Sequence, residues 1–236
     1  MATVDSGAAQ AAGKSVLFVA GRLVPDGPCR AIVSLARRLN ELGHKVEMVC
    51  RSGSIAGVYP RDRGRLASEH NPPVWLSRAL ANNLRGRFSL RGLVARAREL
   101  APDIVHVHGA ALAGVAARLA RRLRKPYVLG IGDFLAPGES VRLSKRFIGK
   151  IIVTSDAIRV DLVNRAGLPR GVIEVVPDGV EVMPARAAAG SRVPVIGTTG
   201  RLVESGGQEY FIRAAHLLAM RGRNAQFLIA GDGPER

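Results

Sequence analysis

Cysteine and aromatic residues are scarce in this chain. Only two of its 236 residues, Cys29 and Cys50, are cysteines, and they have neither CxxC nor metal-ligand spacing. We therefore predict neither a disulfide framework nor a zinc site. Aromatic residues make up 4% of the composition and form no stacking platform of the kind RNA-binding modules use. Because helix-turn-helix and zinc-finger spacings are also absent, nucleic acid is not expected as a partner.

Long apolar runs are absent as well. Although 47% of the residues are hydrophobic, no stretch approaches the roughly 18 consecutive apolar residues of a membrane-spanning helix. Residues 1–13 lack the basic and apolar segments of a signal peptide, and we predict that they form a disordered leader. The expected location is therefore the cytoplasm.

Acidic residues are outnumbered by basic ones. The chain has 19 Asp and Glu against 35 Lys and Arg, a net charge of +16, and 30 of the basic residues are arginine. Such a charge favours phosphate-bearing substrates and anionic lipid as partners. The basic stretch from Arg78 to Arg98 predicts peripheral contact with the inner face of the cytoplasmic membrane. Since arginine is spread over nearly every segment, a general composition bias explains the charge equally well.

Strand-like and helix-like segments alternate along the chain, which is typical of a doubly wound α/β fold. The pattern predicts strands at residues 15–20, 45–50, 103–108, 127–131, 151–154, 172–176, 195–200 and 227–231. It predicts helices at residues 29–42, 75–100, 110–124, 139–149, 155–166 and 208–221, with a long loop at 51–74.

These segments divide into one complete domain and part of another. Residues 14–182 contain the strands of a full sheet, and residues 183–194, rich in Ala, Gly and Pro, are predicted to be a linker. Residues 195–236 predict a single βαβ unit, and a unit of about 45 residues is near the lower limit for independent folding. We therefore expect the second domain to be present only in part.

Glycine-rich turns follow several predicted strands, but none has a complete nucleotide-binding motif. Position 135 is Leu, so Gly130 and Gly132 do not form a dinucleotide fingerprint. The Gly200 turn lacks the Gly-Lys-Ser/Thr of a phosphate-binding P-loop. The turn at Gly27, ahead of the first helix, suits either an ordinary tight turn or a close approach to an anionic ligand.

Two histidines, His106 and His108, lie on one face of a predicted strand. A metal site would need a third ligand, and no neighbouring segment offers one. We expect His106 to be a packed, hydrogen-bonded core residue. His108 should lie at the carboxyl end of its strand, where open α/β sheets bind ligands, and is predicted to contact substrate.

A second ligand edge is predicted near the end of the chain. Gly200 and Arg201 follow one strand, and Gly231, Asp232 and Gly233 follow its parallel neighbour. The carboxyl ends of both strands should meet, and an arginine with turn N–H groups suits a diphosphate.

The order and spacing of these segments resemble those of the GT-B glycosyltransferases of family 4. The matching segments are VLFVAGRLVPDGPCRAIVSLARRLNELGHKVEMVC, APDIVHVHG, IIVTSDAIRVDLVNRAGLPRGVIEVVPDGVEV, IGTTGRLVESGGQEYFIRAAHLL and FLIAGDGPER.

The resemblance implies two Rossmann-like domains facing a cleft and retaining transfer from a UDP- or GDP-sugar, with no further cofactor or metal. It implies that the Gly27 turn approaches the donor phosphates, that His108 contacts the transferred sugar and that Arg201 stabilises the leaving diphosphate. Gly200, Gly231, Asp232 and Gly233 would complete the donor edge. The chain departs from the family pattern at Asp26, in place of a glycine, and at Gly206, in place of a lysine.

Two functions follow from the resemblance. The first is a transferase that glycosylates a cell-envelope glycan, an exopolysaccharide or a glycolipid, seen here as a partial chain. The alternative is a non-catalytic remnant or binding subunit that keeps only the acceptor- and membrane-binding domain.

Overall fold

The computed structural model describes residues 13–58, 69, 71–76, 87–180 and 193–236. The chain divides into two compact units, Met1–Val180 and Glu181–Arg236. The predicted leader and linker lie outside the described residues, except for Gly13 and residues 193–194. Within the described residues, no helix has the length and apolar character needed to cross a lipid bilayer.

The first unit is built on one parallel sheet. Its strands are β1 (Ser15–Leu23), β2 (Lys45–Gly53), β3 (Val74–Leu76), β4 (Ile104–His108), β5 (Tyr127–Ile131), β6 (Ile148–Val153) and β7 (Ile173–Val175). Their order is β3-β2-β1-β4-β5-β6-β7, with every pair parallel. The strand order reverses between β1 and β4, which confirms the predicted doubly wound fold and marks the crevice where such sheets bind ligands.

Five α-helices accompany this sheet in the described residues. They are α1 (Gly27–Glu41), α2 (Ile55–Val58), α3 (Arg87–Leu100), α4 (Ala113–Leu123) and α5 (Asp156–Ala166). Helix α5 begins as predicted, because the Ser155 hydroxyl accepts a hydrogen bond from the Ile158 N–H and caps its first turn.

Two apolar cores cover the two faces of the sheet. Leu17 and Val19 of β1 belong to the larger core, together with residues of α3, α4 and α5. Phe18 and Ala20 alternate with them and belong to the smaller core, together with residues of α1 and β2. The alternation of one strand between two cores is what a doubly covered parallel sheet requires.

Two predicted helices are wrong in whole or in part. Residues 74–76 form β3, which pairs with β2, and the helix predicted at 75–100 is observed from Arg87 onward; residues 77–86 lie outside the described part. No helix forms at 139–149, because the Ser144 N–H is used by the Tyr127 hydroxyl and pairing with β5 starts β6 at Ile148. The predicted loop at 51–74 contains the end of β2 and the short helix α2.

The second unit is the predicted βαβ unit. Strands β8 (Val195–Thr199) and β9 (Gln226–Ala230) are parallel, and helix α6 (Gln208–Met220) connects them. The Phe211 and Phe227 rings meet edge to face at 6.1 Å. None of the side chains whose exposure is described in this unit is fully buried.

Candidate functional site

Two of the predicted site residues, His108 and Gly27, lie at the carboxyl edge of the first sheet. His108 ends β4 and lies opposite Gly130 of β5. The turn before α1, with Gly27, follows the neighbouring strand β1. Because all these strands are parallel, His108 and the Gly27 turn lie at the same edge of the sheet.

The two histidines of β4 face the same side of the sheet and contact each other. Their ring centroids are 4.1 Å apart, with an angle of 33° between the planes. Phe18 of β1 contacts both rings, at 4.9 Å from His106 and 5.1 Å from His108. These three rings form one aromatic cluster at the carboxyl edge.

Desolvation favours the neutral form of both imidazoles, which are partly buried. Desolvation lowers the pKa of His106 to about 4. Desolvation, together with the nearby His106, lowers the pKa of His108 well below its ordinary value. A neutral imidazole has one nitrogen that donates and one that accepts a hydrogen bond.

The His108 Nε2 atom is buried and has no hydrogen-bond partner among the described residues. A buried polar atom without a partner costs about 1–3 kcal/mol. A substrate hydroxyl at the carboxyl edge would supply the missing hydrogen bond. The position of His108 therefore suits the substrate contact predicted for it.

Gly130 lies against the predicted site residue His108, a contact that sequence reasoning missed. A Cβ atom at this position would lie 3.3 Å from Nδ1 of His108 and 3.6 Å from Nε2 of His106. In the sequence, Gly130 stands out only as part of an incomplete dinucleotide fingerprint. The available signal was a glycine inside a strand, which often marks close approach by another group.

The turn before α1 combines an open glycine with a carboxylate. A Cβ at Gly27 would meet no atom within 4 Å among the described residues, so packing does not demand glycine there. Asp26 caps the helix, with Oδ1 accepting a hydrogen bond from the Cys29 N–H at 2.8 Å. Its negative charge occupies the end of the helix that otherwise attracts anions. A donor phosphate near Gly27 would therefore meet a like charge.

The loop after β5 presents an aromatic ring at the same edge. Phe134 is 59% exposed, whereas its neighbour Leu135 is buried. Both polar groups of the Leu135 backbone are bound to α5: the N–H donates to Asp161, and the carbonyl accepts from Arg165. The loop is therefore anchored while Phe134 faces solvent.

The second unit, taken by itself, has a corresponding edge. Arg201 follows β8, and the Arg201 guanidinium is exposed and has no partner within the described part of the chain. The carbonyl oxygen of the same residue accepts a hydrogen bond from Gln208 Nε2 at 2.9 Å. Helix α6 begins after Gly207 without a side-chain cap, so its first N–H groups are open to an anion.

The glycines of this edge have different roles. A Cβ at Gly231 would lie 1.9 Å from the Gly200 carbonyl oxygen, and one at Gly233 would lie 2.1 Å from that of Leu202. These two glycines are therefore required by backbone packing. A Cβ at Gly200 meets only the end of the Gln208 side chain, at 3.9 Å. The Asp232 carboxylate accepts a hydrogen bond from the Gly233 N–H and closes the turn.

Gly206, where the family pattern has lysine, is not freely replaceable. A Cβ there would lie 2.3 Å from Gln208 Oε1 and 2.8 Å from the Arg201 carbonyl oxygen. A lysine at this position would have to displace the Gln208 side chain and shift the backbone.

Other places in the described residues offer weaker evidence of a functional site. A cavity of about 450 Å³, lined in part by Asn40, His44 and Glu47, lies at the amino end of β2, the edge opposite His108. Among the described residues, no three His, Cys, Asp or Glu side chains are grouped as metal ligands would be. Cys29 and Cys50 are buried free thiols, and burial raises the pKa of both.

Comparison with known proteins places these features in context. The model of Glycosyltransferase Family 4 matches residues 25–183. The chain is 51% identical over 43 residues to an alpha-D-kanosaminyltransferase of Streptomyces kanamyceticus, covering 18% of this chain and 11% of that protein. It is 37% identical over 83 residues to a 2-deoxystreptamine glucosyltransferase of the same organism, covering 30% and 21%.

The fold is similar to that of HepE from Anabaena, solved in complex with UDP, with a TM-score of 0.62 and 17% identity. That match covers 94% of this chain and 70% of HepE. At this identity the likeness shows the fold alone.

Proposed function

Since the chain belongs to glycosyltransferase family 4, we propose that it serves sugar transfer from a nucleotide sugar to a hydroxyl group of an acceptor, with retention at the anomeric carbon. The observation that carries the proposal is His108, a neutral imidazole at the carboxyl edge of the matched region with an unpartnered Nε2. The predicted GT-B type of α/β fold agrees with the structural comparison.

A UDP-sugar is the proposed donor, because the similar HepE was solved with UDP. In the transfer, the bond from the anomeric carbon to the diphosphate breaks and the electron pair leaves with the diphosphate. The acceptor hydroxyl oxygen bonds to the anomeric carbon, and its proton is taken up by the departing diphosphate. Arg201 and the uncapped start of α6 are suited to stabilise that negative charge. His108 Nε2 would bind a hydroxyl of the transferred sugar.

The acceptor is proposed to bind near Phe134. An exposed aromatic ring on an anchored loop offers a flat apolar face for the C–H groups of a sugar or cyclitol ring. A cell-envelope glycan, an exopolysaccharide or a glycolipid is one candidate. A second is an aminocyclitol, favoured by the relative named as a 2-deoxystreptamine glucosyltransferase.

Peripheral membrane contact is proposed for the glycolipid candidate. Helices α3 and α4 pack together and expose arginines at positions 91, 96, 98, 121 and 122. An anionic bilayer attracts each near-surface cation by about 1 kcal/mol.

The test compares Arg201→Ala with Arg223→Ala. Arg223 is exposed in the same unit but precedes β9, at the opposite end of the strands. We expect Arg201→Ala to weaken UDP binding at least tenfold in calorimetry, because a hydrogen bond to a charged group contributes about 1.5–3 kcal/mol. Arg223→Ala should leave UDP binding unchanged.

Transfer of glucose from UDP-glucose to 2-deoxystreptamine or to a lipid-linked glycan, followed by mass spectrometry, identifies the acceptor. Equal UDP affinity of the two arginine variants would refute the assignment of Arg201. Tight UDP binding without turnover on any acceptor would favour the binding subunit over the enzyme.

A further inference from the structure

The aromatic cluster of Phe18, His106 and His108 surrounds the imidazole that the proposed function uses. The β1–β4 register places Phe18 beside His106, and each of the three rings contacts the other two. Among the described rings, the closest contact is between the two histidines, at 4.1 Å. His106 therefore bounds one side of the His108 ring.

Gly130 bounds another side of the same ring. The β4–β5 register places it opposite His108, and the Gly109 N–H donates to the Gly130 carbonyl oxygen at 2.8 Å, which fixes the two strand ends together. Gly109 itself has φ 101°, a conformation that favours glycine. A Cβ at position 130 would lie 3.3 Å from His108 Nδ1, so an added methyl group would press on the imidazole and shift it by a few tenths of an ångström.

His106 has no role of its own in the proposed chemistry. Its contacts among the described rings are with Phe18 and His108. A packing contact of this kind can be made by another flat ring of similar size, whereas a small aliphatic side chain would leave His108 free to turn. The sequence alone gives no reason to couple His106 to the site.

We propose that His106 and Gly130 are positioning residues, which hold the His108 imidazole in the single orientation that presents Nε2 to a hydroxyl of the donor sugar. The inference rests on the proposed function for the identity of the ligand. The orientation of the His108 ring can be measured without any ligand. The ring orientation and the ligand contact are therefore tested separately.

The ring orientation is tested by NMR of the full chain carrying ¹⁵N-labelled histidine, with His108→Gln used to assign the His108 signals. We expect one set of His108 ring signals in the wild type at pH 7, with through-space contacts to the Phe18 ring. His106→Ala should give several sets of signals or weaken these contacts, and His106→Phe, which keeps a ring in the cluster, should restore the wild-type signals. If His106→Ala lowers the melting temperature but leaves the His108 signals unchanged, His106 is only a core residue and the proposal is wrong.

The ligand contact is tested by comparing UDP-glucose with UDP in calorimetry. We expect the wild type to bind UDP-glucose about tenfold more tightly, as a hydrogen bond to the sugar would produce. His106→Ala and Gly130→Ala should lose this preference, and His106→Phe should keep it. His44→Ala, at the amino edge of the same sheet, is the control.

A His106→Phe variant that folds normally but binds as poorly as His106→Ala would overturn the packing role. If the wild type does not distinguish the two ligands, the contact between His108 and the sugar is refuted, and the NMR signals alone decide the role of His106.

Discussion

Asp26 gives the start of α1 a negatively charged cap. The family resemblance implies a glycine at this position. An aspartate cap stabilises the helix but opposes a phosphate at the same N–H groups. The start of α6 has no side-chain cap, and Glu209, the carboxylate in its first turn, is paired with Arg213. The contrast is consistent with a diphosphate held mainly by the second unit.

The substitution Asp26→Asn removes the negative charge but keeps the side-chain oxygen that caps α1. Asparagine caps a helix about as well as aspartate, so we expect the melting temperature to change little. If a donor phosphate approaches Gly27, removing the nearby like charge should raise UDP affinity by about threefold or more. Asp103→Asn, at the amino edge of the same sheet, is the charge-matched control. Unchanged UDP affinity in Asp26→Asn would refute the predicted phosphate contact of the Gly27 turn.

The histidine pair predicts how stability depends on pH. The pKa of His106 is about 4 in the folded chain against 6.5 for an ordinary histidine. Between these values the unfolded state binds more protons, so the free energy of unfolding falls as the pH is lowered from about 6.5 to about 4. Over this pH range, protonation of His106 lowers the free energy of unfolding by on the order of 3 kcal/mol. The lowered pKa of His108 acts in the same direction.

Urea denaturation between pH 7 and pH 4 measures this effect. His106→Phe should flatten the dependence, because one of the two desolvated histidines is removed. Asp103 titrates over a different pH range. A hydrogen bond from the Ser15 N–H lowers the pKa of the Asp103 carboxyl below 3.8, so the stability that this carboxylate contributes is lost only below that pH. Identical slopes for wild type and His106→Phe above pH 4 would show that His106 titrates normally.

Sequence reasoning placed most of the predicted site residues at the ends of strands, but it did not identify the groups beside them. His108 and Arg201 were placed at strand ends by strand periodicity and by the resemblance to the family. The roles of Gly130 and Gly206 depend on distances across a strand pair and a turn. A Cβ at Gly130 would lie 3.3 Å from His108 Nδ1, and one at Gly206 would lie 2.3 Å from Gln208 Oε1. No local pattern encodes such distances.

At the scale of elements, the predictions succeeded where the local signal and the tertiary environment agree. Helix α5 has a serine cap, and Gly167 follows it at φ 62°. Strand β3 was missed because three residues carry little periodicity, and its formation depends on pairing with β2. Residues 139–147 contain helix-forming side chains, but the loop is held by Tyr127 and by the start of β6.

We expect the exposed arginines of α3 and α4 to bind anionic lipid in a salt-sensitive way. The double variant Arg98→Glu with Arg122→Glu reverses two exposed charges there, and Arg221→Glu with Arg223→Glu makes the same change in the second unit. We expect the first pair to reduce co-sedimentation with phosphatidylglycerol vesicles at least tenfold, at about 1 kcal/mol per cation, and the second pair to have little effect. Equal losses for the two pairs would show that the arginines act only through overall charge.

At the scale of the whole molecule, the two units differ in how much they bury. The first has cores on both faces of its sheet, whereas the second has no fully buried side chain among those described. Composition and strand count predicted a larger domain at residues 14–182 and a smaller one at residues 195–236. They did not predict the exposure of four large apolar residues in the second unit. More than half of the surface of each is exposed to solvent, and they are Tyr210, Leu217, Met220 and Leu228.

Hydrogen exchange should therefore proceed in two classes, because local stability follows buried apolar contact. Amides of β1, β4 and β5 should exchange slowly, and those of β8 and β9 should exchange much faster. UDP adds stability only to the regions that bind it, so saturating UDP should slow exchange at residues 200–209 and 230–233, where Arg201, the start of α6 and the Gly231 turn lie. Mass spectrometry of peptides from these segments measures the effect, with the β5–β6 region as the reference. Protection by UDP confined to the Gly27 turn, with none near Arg201, would place the diphosphate on the first unit and refute the role proposed for the second.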